Sequence, residues 1–69
     1  MDSNHDFSHF TIAVIGLGLM GGSFAKRFKA IGSRVIGINR TASVAQEALR
    51  MGTVDSISEE DLKDADIVI

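Results

Sequence analysis

Cysteine, tryptophan and tyrosine are absent from this sequence, and so is any long apolar run. Without cysteine the chain forms no disulfide and no cysteine-ligated zinc site, which fits a reducing compartment. No apolar stretch approaches the roughly 20 residues of a membrane-spanning helix, and residues 1–9 are too polar and acidic for a signal peptide. These absences predict a cytoplasmic protein that does not bind membranes.

Charges of opposite sign are separated along the chain. Residues 10–52 carry six Lys or Arg against one Glu, whereas residues 53–69 carry six Asp or Glu against one Lys. The basic half suits a small anionic ligand; in the alternative, Lys26, Arg27 and Lys29 are only the solvated face of a helix. Four Phe are the only aromatic residues, and no basic stripe is interleaved with them, so we predict no nucleic-acid binding.

A glycine-rich turn joins an apolar strand, residues 11–15, to a run with helical periodicity. In the G-x-G-x-x-G pattern Gly16 makes the tight turn, Gly18 lets the backbone approach a pyrophosphate, and Gly21 lets the helix lie close to the strand. The pyrophosphate would then lie at the N-terminus of the helix. A structural turn or another phosphate ligand is the alternative, and the missing Gly-Lys-Ser/Thr excludes a P-loop.

The run after the turn has the pattern of an amphipathic helix followed by a second strand. Phe24, Phe28 and Ile31 recur at helical spacing with Ala25 beside them, which predicts that the helix buries this side. Gly32 is a natural residue for the end of that helix. Residues 34–39 are short and apolar, as expected for a second strand.

A second helix and two further strands complete the predicted pattern. Ser43 and Gln46 form a capping box that would open the helix, and Gly52 would end it. The predicted buried side of this helix consists of Val44, Ala45, Ala48, Leu49 and Met51. Residues 53–57 could form a very short third strand, and residues 67–69 a fourth.

Strands that alternate with helices at this spacing predict an α/β fold, a partial doubly wound parallel sheet with strand order 3-2-1-4. We assign residues 1–9 to a polar N-terminal tail. Residues 10–69 are expected to be the N-terminal part of a dinucleotide-binding domain, truncated in the fourth strand. An unpaired apolar edge invites another chain, so we expect a homodimer. If these residues act alone, half of the nucleotide crevice is missing, and we expect weak cofactor binding at best and no dehydrogenase activity.

Two groups of polar side chains are weak candidates for chemistry. His5 and His9 have the i, i+4 spacing of metal ligands on a helix, but they lie in a polar tail with no third ligand. We therefore predict no metal site. Asp64 and Asp66 flank the start of the last strand, where a solvated corner is the expected role rather than a catalytic pair.

The residues after the second strand distinguish NAD from NADP. An Asp or Glu there would accept hydrogen bonds from the ribose hydroxyls and repel a 2′-phosphate, but this chain has Asn39, Arg40 and Thr41. Arg40 can form charge-assisted hydrogen bonds to a 2′-phosphate and Thr41 can donate a hydroxyl hydrogen bond, which favours NADP over NAD. In the alternative, Arg40 stacks on the adenine of either cofactor and Asn39 bonds a 2′-hydroxyl.

The segment from residue 12 to residue 26, IAVIGLGLMGGSFAK, resembles the opening of prephenate and arogenate dehydrogenases, whose pattern is close to GLGLIGGS. The Gly21-Gly22-Ser23 ending carries most of this resemblance, which continues through residues 35–40, 48–55 and 61–69. It implies the Rossmann NAD(P)-binding segment of a dehydrogenase that oxidatively decarboxylates prephenate or arogenate in tyrosine biosynthesis. The family's frequent Asp after the second strand is absent here, which again favours NADP.

Carried over residue by residue, the resemblance implies two groups of cofactor-binding residues. The pyrophosphate would be lined by Gly16, Leu17, Gly18, Leu19, Met20 and Gly21. The adenosine ribose would be lined by Asn39, Arg40 and Thr41. The family's catalytic histidine and substrate-binding arginines lie beyond Ile69, so we assign no catalytic residue in this chain.

Two other functions also fit the sequence. The 3-hydroxyacid dehydrogenases show a GLGxMG turn and an Asn-Arg-Thr after the second strand, although they usually have Pro-Met where this chain has Gly22-Ser23. A non-catalytic module would bind a dinucleotide and report the redox state to a partner. Cofactor binding without turnover would distinguish that module from an enzyme.

Overall fold

The computed structural model describes residues 9–69 as a small α/β domain. Its elements, in chain order, are β1 (Thr11–Ile15), α1 (Leu19–Ala30), β2 (Arg34–Ile38), α2 (Ala42–Arg50), a 3-10 helix (Glu59–Asp64) and β3 (Ile67–Val68). The predicted N-terminal tail, apart from His9, lies outside the described residues, and so does His5. None of the helices in this part of the chain is long and apolar enough to cross a membrane.

The three strands form one parallel sheet in the order β2-β1-β3. The β1–β2 register runs from Thr11 opposite Arg34 to Ile15 opposite Ile38. The strand that the sequence predicts as the fourth is β3, and its hydrogen bonds to β1 continue through Ile69, whose N–H donates to Ala13 O at 2.8 Å. The predicted parallel sheet, with the first strand in the centre, is therefore confirmed.

The predicted third strand is reduced to a single bridge, in which Ser56 pairs with Ile36 of β2 in parallel. The Gly37 N–H donates to Ser56 O at 2.8 Å, and the Asp55 N–H donates to Val35 O at 2.7 Å. On the amino side of this bridge the Asp55 carboxylate, not a backbone carbonyl, accepts the hydrogen bond from Val35 N, at 2.7 Å. The segment still lies beside β2, where the predicted order 3-2-1-4 places it.

The buried residues that the structure describes in both helices are alanines. On α1 the core side is Ala25, with Phe28 packed against the core, as predicted, whereas Phe24 and Ile31 are 38% and 49% exposed, contrary to the prediction. Of the five residues predicted to face inward from α2 and its end, Ala45 is buried and Ala48 packs against the core. The other three, Val44, Leu49 and Met51, are exposed, contrary to the prediction.

Both helices end as the sequence predicts, but α2 begins differently. After α1, the Ser33 N–H donates to Phe28 O and the Gly32 N–H to Lys29 O, both at 3.0 Å, which is the Schellman arrangement with a left-handed glycine. The same pattern closes α2 at Gly52. The predicted capping box at Ser43 is wrong, because the N-cap of α2 is Thr41, two residues earlier, and it makes no side-chain capping hydrogen bond.

Candidate functional site

The glycine turn after β1 is fixed at both ends by the backbone. Gly16 has φ of +87°, a conformation that side chains disfavour, and its N–H donates to Ile38 O at 2.6 Å. A Cβ on Gly21 would overlap the carbonyl oxygen of Gly16 and lie 3.4 Å from Val14 Cγ1. The turn before α1 therefore depends on the left-handed backbone of Gly16, and at Gly21 the helix packs directly on the end of β1. These two predicted glycine roles are confirmed.

Gly18 differs from its neighbours because nothing in the folded chain requires a glycine there. Its φ of −70° and ψ of −165° are extended backbone that any residue adopts, and a Cβ would have no atom within 4 Å. Gly18 is the N-cap of α1 and provides no side-chain capping bond. The first amides of the helix lack intrahelical partners, and the space beside the Gly18 Cα is open.

A cleft of about 410 Å³ lies at the carboxyl ends of β1 and β2. It is lined by Ile15, Gly16, Ile38, Asn39, Arg40 and Glu59. In doubly wound sheets a ligand binds at this edge, beside the first strand-to-helix turn. The structure thus brings Gly16, the first residue of the glycine turn, to the same opening as Asn39 and Arg40 after β2.

Asn39 joins the two sides of this opening through its side-chain amide. Its Oδ1 accepts a hydrogen bond from Leu17 N at 2.8 Å, and its Nδ2 donates to Thr41 O at 3.2 Å. We call this pair of hydrogen bonds the Asn39 bridge. It occupies the Leu17 amide, which the sequence had placed among the groups that line the pyrophosphate.

The Leu17 side chain points into the core rather than into the cleft. It is only 8% exposed, and a Cβ on Gly37 would lie 2.9 Å from its Cδ1 and 2.7 Å from Val54 Cγ1. Gly37, in the middle of β2, therefore makes room for the residue that anchors the glycine turn. Sequence reasoning missed this role, for which an isolated glycine within an apolar strand is the available signal.

Of the remaining predicted site residues, Arg40 lines the cleft, whereas Met20 lines a separate pocket on α1 together with Ser23, Phe24 and Arg27. Arg40 and Thr41 are exposed, and Met20 is 75% exposed at the start of α1. Glu59, the first residue of the 3-10 helix, also lines the cleft, so a carboxylate faces the same space as Arg40. Sequence reasoning did not identify Glu59, because only tertiary packing brings it to the end of β2.

A second cluster of charges lies at the opposite, amino end of the sheet. The Lys29 ammonium contacts an Asp55 oxygen at 2.7 Å, and Arg34 lies 3.5 Å from Asp61. Burial acts to raise the pKa of Asp55, but the hydrogen bonds from Lys29 and Val35 N outweigh it and hold that pKa below its ordinary value. This cluster stabilises the segment beside β2.

Asp66 also supports the amino end of the sheet. Its carboxylate accepts a hydrogen bond from Thr11 N at 2.7 Å, and its own N–H donates to Thr11 O at 2.7 Å. This contact connects the approach to β3 with the start of β1. Among residues 9–69, no group of three His, Cys, Asp or Glu side chains is arranged to hold a metal ion.

The parallel sheet, the glycine turn and the cleft at its carboxyl edge define a dinucleotide-binding domain of the Rossmann type. Residues 11–69 match the family model described as the NAD binding domain of 6-phosphogluconate dehydrogenase, and the chain belongs to that family. Neither the curated proteins nor the solved structures gave a match. The family establishes NAD(P) as the cofactor and a nucleotide-binding segment of an oxidoreductase as the class of protein.

The family match does not support prephenate or arogenate dehydrogenase in particular. The Gly21-Gly22-Ser23 ending carried that resemblance, yet a Cβ on Gly22 would lie 3.8 Å from Leu17 O, an ordinary contact. The fold therefore does not require a glycine at position 22, and the Gly-Gly pair is a weak indicator of one dehydrogenase over another. The GLGxMG turn and Asn-Arg-Thr, shared with 3-hydroxyacid dehydrogenases, agree better with the match.

Proposed function

We propose that the chain is the cofactor-binding part of an NADP-dependent dehydrogenase of the 3-hydroxyacid type. The observation that carries this proposal is the glycine turn, in which Gly18 leaves open space at the N-terminus of α1. The family supports the same class, because 6-phosphogluconate is itself a hydroxy acid. Met20 in the turn and the Asn-Arg-Thr after β2 support the 3-hydroxyacid type over prephenate dehydrogenase.

The residues present fit a dinucleotide. The pyrophosphate would lie against the amides of Gly18, Leu19, Met20 and Gly21, where the positive end of the helix dipole adds to their attraction. Gly16 would line the cleft with its backbone. Leu17 would contribute through packing alone, since its amide is bonded to Asn39.

The adenosine ribose would lie at the end of β2. Arg40 is exposed in the cleft, where its guanidinium can hold a 2′-phosphate with two parallel hydrogen bonds. Thr41 carries a hydroxyl that makes no capping bond to α2. Asn39 would hold this loop in place rather than bind the ribose, because its side-chain amide already has two protein partners.

The chemistry that NADP supplies when bound is acceptance of a hydride from the substrate carbon. The described residues of this chain bind and orient the cofactor for that transfer, and we assign none of them as catalytic. Prephenate and arogenate serve as comparison substrates. The homodimer expected from the exposed sheet edge stays a prediction.

The cofactor assignment is tested by measuring Kd for NADP and NAD in the wild type, in Arg40→Ala and in Arg50→Ala. A charge-assisted contact to the 2′-phosphate is worth about 1.5–3 kcal/mol. Arg40→Ala should therefore raise the Kd for NADP about 10- to 150-fold and the Kd for NAD less than about threefold. Arg50→Ala removes the same charge from an exposed site paired with Glu47 and should change neither Kd. Equal losses for both cofactors would instead indicate that Arg40 stacks on the adenine.

The substrate class is tested by steady-state assays, with NADP and a set of hydroxy acids, of the full-length dehydrogenase of which we propose this chain to be a part. Turnover of a 3-hydroxy acid or of 6-phosphogluconate, with none for prephenate or arogenate, is the expected result. Turnover of prephenate would contradict the proposal. Tight binding of NADP without turnover of any substrate would favour the non-catalytic sensing module.

A further inference from the structure

The Asn39 bridge connects two segments that the proposed function requires to cooperate. Leu17, whose amide donates to Asn39 Oδ1 at 2.8 Å, lies between the first two glycines of the turn. Thr41 O, which accepts from Asn39 Nδ2 at 3.2 Å, also accepts from Val44 N at 3.1 Å in the first turn of α2. One side chain therefore links the glycine turn to the start of the second helix, and Arg40 lies between Asn39 and Thr41 in the sequence.

The two partners make opposite chemical demands on position 39. Leu17 N–H needs an acceptor, and the Thr41 carbonyl needs a donor. A side-chain amide satisfies both, whereas an ionised carboxylate accepts only. An Asp at position 39 would keep the bond from Leu17 but set one of its oxygens against the oxygen of Thr41. The geometry of this loop therefore selects Asn over the carboxylate that reads ribose in many NAD-binding domains.

We propose that Asn39 is a positioning residue for NADP specificity. It sets the distance between the pyrophosphate turn and Arg40, rather than reading the ribose itself. This inference rests on the proposed function, and it has a consequence for cofactor preference. Asn39→Asp places a carboxylate at the end of β2 but does not convert the protein to NAD, because the same change releases the loop that carries the ribose site.

The bridge is tested first without cofactor, by amide hydrogen exchange in the purified protein. Asn39→Ala should raise the exchange rate of the Leu17 amide at least about tenfold, whereas Asn39→Asp, which keeps the acceptor, should leave it protected. Asp66→Ala is the matched control, because it frees the backbone amide of Thr11 at the other end of β1. It should raise exchange at Thr11 and leave Leu17 unchanged.

The same variants are then titrated with NADP and NAD. We expect Asn39→Ala and Asn39→Asp each to raise the Kd for NADP about tenfold, with no gain in NAD affinity. The control Asp66→Ala should bind both cofactors with the wild-type Kd. The loss of NADP affinity in Asn39→Asp, with Leu17 still protected, is a result that general destabilisation would not produce.

Two results would overturn the inference. Unchanged Leu17 exchange in Asn39→Ala would mean that the bridge does not hold the turn, whatever the cofactor does. A gain in NAD affinity in Asn39→Asp would mean that position 39 reads the ribose directly. A wild type that binds neither NADP nor NAD would instead refute the proposed function, while the exchange data would still test the bridge.

Discussion

Replacing Gly18 with alanine separates cofactor binding from folding more cleanly than any other change in the turn. The backbone at Gly18 has φ of −70° and ψ of −165°, and a Cβ there would meet no atom within 4 Å. Substitution of glycine by alanine at a compatible conformation stabilises a protein by about 0.4–1 kcal/mol, through the unfolded state. Gly18→Ala should therefore unfold at the same or a slightly higher denaturant concentration than the wild type.

Binding should respond in the opposite direction. The added methyl group would occupy the space that we assign to the pyrophosphate, and an extra methyl in a well-packed contact costs about 1–3 kcal/mol. That cost corresponds to a loss of about 5- to 150-fold in NADP affinity. Titration calorimetry for Kd and urea unfolding for stability, on the same preparations, measure the two effects.

Gly22→Ala is the control for this experiment. It lies in the same turn of α1, its Cβ would make an ordinary contact at 3.8 Å from Leu17 O, and no cofactor contact is assigned to it. We expect it to keep the wild-type Kd. Unchanged NADP affinity in Gly18→Ala would refute the placement of the pyrophosphate, and marked destabilisation of that variant would show that Gly18 serves the fold instead.

Three further predictions follow from the same geometry. Gly21→Ala should lower the free energy of unfolding, measured by urea titration, by about 3 kcal/mol, because its Cβ would overlap the backbone of Gly16. A variant as stable as the wild type would contradict the close packing of α1 on β1. Since the pKa of Asp55 lies below its ordinary value of 3.8, its ionised form stabilises the fold above that pH, and protonation removes the effect at lower pH. The stability difference between wild type and Asp55→Asn, from urea unfolding at several pH values, should therefore shrink below about pH 4; a constant difference would argue against this ion pair. Glu59→Gln removes a negative charge from the cleft and should lower the Kd for NADP about two- to fivefold at low salt. Glu60→Gln removes the same charge outside the cleft and should leave the Kd unchanged. Equal Kd values for the two variants would show that Glu59 is not part of the site.

Local features of the site could be predicted from the sequence because they depend on a few consecutive residues. The turn at Gly16 and the close approach at Gly21 follow from the spacing of the glycines along one strand-to-helix connection, and both are present. The parallel sheet follows from the alternation of strands and helices. The helix ends at Gly32 and Gly52 depend in the same way on local backbone geometry.

Features that depend on tertiary packing were not predictable. Helical periodicity identified α1 and placed Ala25 on its apolar side, but it could not show that Phe24 would stay exposed once the helix packs closely on β1 at Gly21. The Asn39 bridge spans 22 residues, and its partner atom on Leu17 is a backbone amide without any sequence pattern. Glu59 reaches the cleft only because the chain returns past β2.

The central claim is that a dinucleotide pyrophosphate binds the backbone of the first strand-to-helix turn. A crystal structure of the protein with NADP tests it most directly. We expect the pyrophosphate oxygens within hydrogen-bond distance of the amides between Gly18 and Gly21, and the 2′-phosphate against Arg40. A pyrophosphate bound away from this turn, at any other surface of the protein, would contradict the claim.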